Sequence, residues 1–90
     1  MNKTVITVVG KDTVGIIAKV CTYLADNQVN ILDISQTIVD EFFNMMMIVD
    51  ATNSPKAHGE LADELDALGL TIGVKIRCQK EEIFDKMHRI

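Results

Sequence analysis

The segment of residues 8–17 changes from a strand pattern to a helix pattern across a short polar turn that contains two glycines. Residues 3–9 are dense in valine and isoleucine, which predicts a buried strand. Residues 15–27 carry apolar side chains at helical spacing and predict an amphipathic helix. Because the first N–H groups of a helix have no partners within it, this junction is also able to bind an anion such as a carboxylate.

Two further strands and a second helix are predicted beyond this unit. Residues 30–39 and 42–51 have strand patterns, and the short connection Asp40-Glu41 implies a hairpin between them. Asn53-Ser54-Pro55 is typical of a helix start, where a capping side chain is followed by proline at the first helical position. The chain therefore enters a helix soon after the third strand.

The last third of the chain predicts that helix, a fourth strand and a terminal helix. We expect the second helix to end at Gly69 in a left-handed cap. Its apolar stripe consists of Ala57, Leu61, Leu65 and Leu68. Residues 70–78 alternate apolar and polar side chains, as in a strand with one buried face. Residues 80–90 predict a short helix with acidic residues at its start and basic residues at its end.

The order of these elements, βαββαβ, limits the fold. Right-handed crossovers place both helices on one face of a four-stranded antiparallel sheet. The sequence therefore predicts an α+β fold, the ferredoxin-like βαββαβ sandwich, with a short C-terminal helix. At this length, residues 1–90 are expected to form a single domain.

The first and third predicted strands are apolar on both sides, unlike the fourth. Val5 and Val9 lie on the opposite side of the first strand to Ile6. In the third strand, Phe42 and Met46 lie on the opposite side to the apolar residues that alternate with them from Phe43 onwards. A two-layer sandwich leaves one sheet face in water, so strands of this kind need a second cover. Either the terminal helix or a second subunit supplies it, and we expect a homo-oligomer, a dimer or larger.

Charge and cysteine content narrow the functional classes. The net charge of −4 and the lack of a basic cluster disfavour direct nucleic-acid binding and an anionic membrane surface. No apolar run approaches the ~20 residues of a transmembrane helix, and no signal-peptide pattern is recognisable. Cys21 and Cys78 lie far apart on apolar faces. We therefore expect reduced core thiols, a cytoplasmic location, no metal and no other cofactor.

The first turn has two interpretations. It could hold a ligand carboxylate on the N–H groups of Val14, Gly15 and Ile16, or it could be a tight turn that needs glycine. Similarly, Asp12 could accept a hydrogen bond from a ligand ammonium group, or it could cap the helix. For Asp12, the two roles do not exclude each other.

Two polar side chains elsewhere also have two interpretations. Asn30 could bind an amino acid through its amide, or it could be a turn residue. Gln36, among apolar neighbours, could have a partner across a subunit interface, or it could lie at a sheet edge. The methionines at 45–47 alternate along a strand and are expected to pack rather than bind a metal. His58 and His88 are expected to be solvated, and no catalytic arrangement can be assembled.

The run Val-Val-Gly-Lys-Asp-Thr-Val-Gly-Ile-Ile at residues 8–17, with Val-Asn-Ile-Leu-Asp-Ile-Ser-Gln-Thr at residues 29–37, resembles the ACT domain. The chain looks most like small stand-alone ACT proteins, similar to the glycine cleavage system repressor. The resemblance implies domains that pair side by side into dimers and bind amino acids between subunits. It implies ligand contacts at Asp12, Val14, Gly15, Ile16, Asn30 and Ile31.

These observations predict a regulatory protein, not an enzyme, that binds an amino acid at a subunit interface and relays its occupancy to a partner protein. A ligand-free dimeric interaction module is the alternative. Acylphosphatases of this fold need an arginine in the first loop, where this chain has only Lys11. RNA-binding modules of this topology need aromatic residues on the first and third strands and a basic surface, whereas the first strand here has no aromatic residue and the chain is acidic. We expect that removing Asn30, or a large side chain at Gly15, abolishes ligand binding without unfolding.

Overall fold

The computed structural model describes residues 2–11 and 15–80, which form four strands and two helices in the order βαββαβ. The elements are β1 (Lys3–Lys11), α1 (Ile16–Asp26), β2 (Asn30–Val39), β3 (Phe42–Asp50), α2 (His58–Ile72) and β4 (Val74–Lys80). The strands form one antiparallel sheet in the order β2-β3-β1-β4, so β2 and β4 are its edges. This confirms the ferredoxin-like fold. The predicted terminal helix follows Lys80, where the described residues end.

Both helices pack on one face of the sheet and form a continuous apolar core with it. Ile6 of β1 and Met47 of β3 are buried in the same cluster as Leu24 of α1 and Leu65 of α2. Met45 is also fully buried, so the predicted packing of alternate methionines is confirmed. Each large side chain buried in this way contributes roughly 1.5–3 kcal/mol to the stability of the fold.

The second helix begins and ends later than the sequence pattern predicts. It starts at His58 rather than at Pro55, and no described side chain caps its start. Gly69 lies buried inside the helix, and Gly73, with φ 77°, takes the left-handed cap instead. A Cβ at Gly69 would lie 2.7 Å from the carbonyl oxygen of Val74. Glycine is therefore needed at position 69 for the close approach of α2 to β4, not to end the helix.

The fourth strand consequently begins at Val74 and not at Leu70. Leu70 is 79% exposed on α2, so its predicted burial in a strand is wrong. Within β4 the predicted alternation is confirmed, because Val74 and Ile76 are buried while Lys75 and Arg77 are exposed. The amphipathic pattern was correct, but the point at which the helix gives way to the strand was not.

The first strand is longer than predicted and contains Gly10. This residue is in register with Phe43 on one side and Val74 on the other. A Cβ at Gly10 would lie 2.8 Å from the Cγ1 atom of Val74. Gly10 therefore permits close strand packing, and of the two glycines expected in the first turn only Gly15 follows the strand.

The sheet face opposite the helices, here called the open face, carries exposed apolar side chains. Val9, Phe42 and Met46 on this face are 45%, 55% and 40% exposed, whereas Val5 is 3% exposed. The expected apolar character of this face is therefore confirmed, and a second cover by another subunit stays a prediction. Neither described helix is long and apolar enough to cross a membrane.

Candidate functional site

The start of α1 has the features of an anion-binding helix end. Gly15, immediately before the helix, has a left-handed backbone with φ 90° and ψ 3°. Within the described part of the chain no side chain caps this end, and the first turn contains no acidic residue. The Gly15 carbonyl accepts a hydrogen bond from the N–H of Lys19 at 2.9 Å. The first N–H groups of the helix point away from it and carry partial positive charge.

At Gly15 and Ile16, the described residues of this turn, it is the backbone that a ligand could contact. The side chain of Ile16 is 3% exposed and belongs to the core. A Cβ built at Gly15 would have no described atom within 4 Å, but its positive φ strains any L side chain, at a cost of about 1–2 kcal/mol. A large side chain there would therefore also lower the stability of the fold, and our expectation that it abolishes binding without unfolding stays a prediction. We call Gly15 and Ile16 the first half-site; Asp12 and Val14 lie outside the described residues.

Asn30 and Ile31, the second half-site, lie at the opposite end of the sheet. Asn30 is in register with Asp50, and Asp50 is in register with Lys3 at the start of β1. Since β1 is 9 residues long, the second half-site is roughly 25 Å from the turn that follows β1. A single chain therefore does not bring together the residues that the sequence pointed to.

Asn30 lies beside the carboxylate of Asp50 at the start of β2. Asn30 is an exposed strand residue, and the positive φ in the preceding connection belongs to Gln28, so the turn interpretation of Asn30 is wrong. The Asp50 carboxylate accepts hydrogen bonds from the hydroxyl and the N–H of Thr52, at 2.5 and 3.0 Å. These bonds lower the pKa of Asp50. An ionised carboxylate beside Asn30 attracts an ammonium group.

The β2 edge of the sheet is exposed and largely apolar. A register shift against β3 lies between Ile31 and Asp33. Beyond it, Ile34, Gln36 and Ile38 face the same side of the sheet as the buried residues of β3. Ile34 and Ile38 are 41% and 57% exposed. Gln36 is exposed between them, at the sheet edge, which is one of its two predicted positions.

A polar cluster between the helices was not found by sequence reasoning. The Tyr23 hydroxyl donates to Glu64 Oε1 at 2.6 Å, and Lys56 Nζ lies 2.5 Å from the same oxygen. Burial, together with the Glu64 carboxylate, raises the pKa of Tyr23, and hydrogen bonds from Lys56 and Tyr23 lower the pKa of Glu64. Residues 23 and 64 are distant in sequence and no local motif joins them, so the cluster could not be anticipated.

Within the described part of the chain, the remaining candidate side chains are not grouped into a reactive centre. Cys21 and Cys78 are free and half-buried, and burial raises the pKa of Cys78 to about 11, which keeps its thiol protonated and weakly nucleophilic. His58 is half-buried, and no described group bonds its buried Nδ1 atom, so its predicted solvation is wrong. His88 lies outside the described residues. Across residues 2–11 and 15–80, no three His, Cys, Asp or Glu side chains are grouped to hold a metal ion.

Residues 2–79 match the model of the ACT domain family. The chain belongs to this family. An ACT domain is a small-molecule-binding regulatory module. This chain is 67% identical to the UPF0237 protein of Bifidobacterium longum over 90 residues, which cover all of both chains.

Two solved structures are similar to this one. An ACT domain protein from Streptococcus pneumoniae matches with a TM-score of 0.82 and 44% identity, covering 93% of this chain and 94% of that chain. A protein proposed to be a glycine cleavage system transcriptional repressor matches with a TM-score of 0.77 and 24% identity, covering 88% of this chain and 45% of that chain. The second likeness, at its low identity, shows the fold alone.

Proposed function

We propose that this ACT domain is a regulatory protein that binds an amino acid between two copies of the chain and relays its occupancy to a partner protein. The observation that supports this most is the separation of the two half-sites at opposite ends of the sheet. Antiparallel pairing of two β2 edges would bring the first half-site of one copy to the same end as the second half-site of the other. A two-fold dimer then contains two equivalent sites.

The charges of the half-sites suit an α-amino acid. The N–H groups at the start of α1 provide donors for a carboxylate. The Asn30 amide and the neighbouring Asp50 carboxylate provide acceptors for an ammonium group. On the sequence, Asp12 and Val14 belong to the first half-site as further contacts.

Regulation follows from a ligand that touches both copies. Binding stabilises the dimer arrangement that completes the site. The effect on a partner protein is no larger than the difference in ligand affinity between the two arrangements. We further propose that the protein acts by binding alone, without a cofactor, in the cytoplasm, where free thiols such as those of Cys21 and Cys78 persist.

The proposal is tested by thermal unfolding of the protein with each of the twenty amino acids at millimolar concentration, with the mass in solution measured in parallel. A ligand at about 100 times its dissociation constant stabilises the folded state by about 2.7 kcal/mol. We expect one or a few amino acids to raise the unfolding midpoint of a dimer. This result would identify the ligand class.

The contribution of the second half-site is tested with Asn30→Ala. Loss of a hydrogen bond to a charged ligand group typically costs about 1.5–3 kcal/mol, so we expect affinity for the amino acid to fall at least about ten-fold. The unliganded midpoint should stay unchanged, because Asn30 is exposed. Asn53→Ala, at an exposed asparagine between β3 and α2, is the matched control. Equal ligand affinity in the two variants would contradict the assignment of Asn30.

A ligand-free dimeric interaction module is the second candidate. The exposed Val9, Phe42 and Met46 of the open face are the observation that favours it, since apolar patches of this kind commonly contact other proteins. A stable dimer whose midpoint no amino acid changes would favour this module over the sensor.

A further inference from the structure

Val5 and Val9 of β1 have matched positions in the sheet but very different exposure. Both side chains lie on the open face, and both residues are flanked by β3 on one side and by β4 on the other. Val9 is 45% exposed, whereas Val5 is 3% exposed. Because the residue type, the strand, the face and the flanking strands are the same, the sheet alone does not account for the burial of Val5. A further part of the molecule covers Val5 and leaves Val9 uncovered.

The covered end of the open face is defined by the register of the strands. Val5 is in register with Ile48 of β3 and with Gln79 of β4, and both of these residues are half-buried. At the other end of the face, Phe42 is 55% exposed. Both described helices pack on the opposite face of the sheet, in the same cluster as Ile6. The cover over Val5 is therefore neither α1 nor α2.

Residues 81–90 follow β4 directly at this end of the sheet. β4 ends at Lys80, one residue after Gln79, which lies beside Val5. The segment has apolar residues at helical spacing, namely Ile83, Phe84, Met87 and Ile90. Its ten residues would span about 15 Å as a helix, close to three strand spacings. The segment is therefore long enough to extend from β4 past β1 to β3, but too short to cover the whole face.

The charges of the open face also suit this segment. β4 presents Lys75 and Arg77 on this face, and both side chains are exposed. The first half of the segment carries three acidic residues, Glu81, Glu82 and Asp85. Opposite charges attract only weakly at exposed positions. They would therefore direct the segment towards the face, while its apolar residues supply the larger part of the contact.

We propose that residues 81–90 fold back over the open face and pack their apolar side chains on Val5 and Ile48. The segment then acts as a built-in cover that closes this end of the face to other proteins. The end around Val9 and Phe42 stays accessible to a partner. The apolar surface that the protein offers thus depends on whether the segment is packed on the face. This cover requires no amino-acid ligand, so it stands or fails independently of the proposed function.

Thiol labelling at a cysteine placed under the segment tests the proposal in the full chain. Ile48→Cys is the probe, and Cys78, which packs against the core on the other face of the sheet, is the internal reference for unfolding. We expect the double substitution Ile83→Ser and Phe84→Ser to raise the labelling rate of the probe at least about ten-fold, because loss of the cover exposes this site locally. The labelling rate of Cys78 should change by less than about two-fold.

Two matched variants supply the controls. Arg89→Ser changes the predicted polar side of the same segment and should leave the labelling rate of the Ile48→Cys probe unchanged. Val9→Cys places the probe at the exposed end of the face, where the double substitution should have no effect. A labelling rate of Ile48→Cys that does not respond to the double substitution would overturn the proposal. An equal increase at Ile48→Cys and Val9→Cys would also overturn it.

Magnetisation transfer in the unmodified chain tests the same contact, and it decides the question if the double substitution also exposes Cys78. We expect transfer between the methyl groups of Val5 and the ring of Phe84 within one chain. A mixture of isotope-labelled and unlabelled chains separates contacts within a chain from contacts between copies. Transfer from Val5 only to residues of another copy would show that a second copy covers Val5, and would overturn the proposal. The absence of transfer from Val5 to residues 81–90 would overturn it as well.

Discussion

The two edges of the sheet, β2 and β4, differ in their protection against association. β4 carries Lys75, Arg77 and Lys80 among its 7 residues, whereas β2 has only Asp33 charged among 10. Charged side chains, and lysine above all, oppose the addition of another strand to an edge. The difference shows that a sheet with two edges can be open to a partner along only one of them.

Packing increases the difference between the edges. Gly10 of β1 and Gly69 of α2 let the backbone approach Val74 so closely that a Cβ at either position would collide with it. β2 has no such close support, and Ile34 and Ile38 remain exposed. The β4 edge is thus fixed by its own chain, while the β2 edge retains apolar surface that association can bury.

The largest expected effect comes from giving β2 the kind of charge that β4 already has. Ile34→Lys would place a lysine in the exposed apolar part of β2 in each copy. We expect the dimer to weaken on the order of 100-fold, about 2.7 kcal/mol, because the charge loses water without gaining a partner. Leu70→Lys is the control, since Leu70 is 79% exposed on α2. Sedimentation over a range of concentrations measures both, and equal dissociation constants would contradict the role of β2.

A smaller effect tests the tight packing of β4. Alanine usually stabilises a helix interior relative to glycine by about 1 kcal/mol. At Gly69, however, a Cβ would lie 2.7 Å from the Val74 carbonyl oxygen and 3.1 Å from Ile76 Cγ1. We expect Gly69→Ala to destabilise the protein by roughly 1–3 kcal/mol in urea unfolding.

Gly59→Ala is the matched control for this substitution. Gly59 lies in the same helix, and no described atom is within 4 Å of a Cβ built there. We expect this variant to be stabilised by up to ~1 kcal/mol. Stabilisation by both substitutions would show that the close contact of Gly69 with β4 is not a constraint.

The smallest expected effect concerns the cluster between the helices, which is on neither edge. The folded pKa of Glu64 is lowered by Lys56 and Tyr23, so the ionised carboxylate stabilises the fold above the unfolded pKa of 4.5. This contribution is lost as the pH falls through the folded pKa. We expect Glu64→Gln to be less stable than the wild type at neutral pH and the difference to shrink below about pH 4.

Urea midpoints at the two pH values measure this difference, with Asp66→Asn, at an exposed residue of the same helix, as the control. A difference between Glu64→Gln and the wild type that stays constant with pH would remove the ion pair as its cause. The dimer should persist in all three proteins, because the cluster lies between the helices, away from β2.

Periodicity predicted the elements well and their junctions poorly. The pattern from Leu61 to Leu68 is helical, and the alternation of Val74 and Ile76 is that of a strand, and both are confirmed. The sequence pattern predicted that α2 ends at Gly69, whereas it ends at the left-handed Gly73. The choice depends on the contact between Gly69 and β4, which is a tertiary contact and therefore leaves no local signal.

The two half-sites were also identified from local patterns, but their separation was not. Gly15 and Asn30 are near each other in sequence. The intervening α1 carries the chain to the other end of the sheet, since its 11 residues rise about 16 Å. Likewise, the sequence predicted a strand over residues 30–39 but not the register shift between Ile31 and Asp33.

The sequence by itself determined the order of elements, the family and the apolar faces, because these depend on side-chain periodicity and on short motifs along the chain. Only the tertiary structure decided where α2 ends, which edge of the sheet is left unprotected and that the half-sites lie apart. These depend on distances between residues remote in sequence. Such distances are fixed when the helices and strands pack together, and no local pattern encodes them.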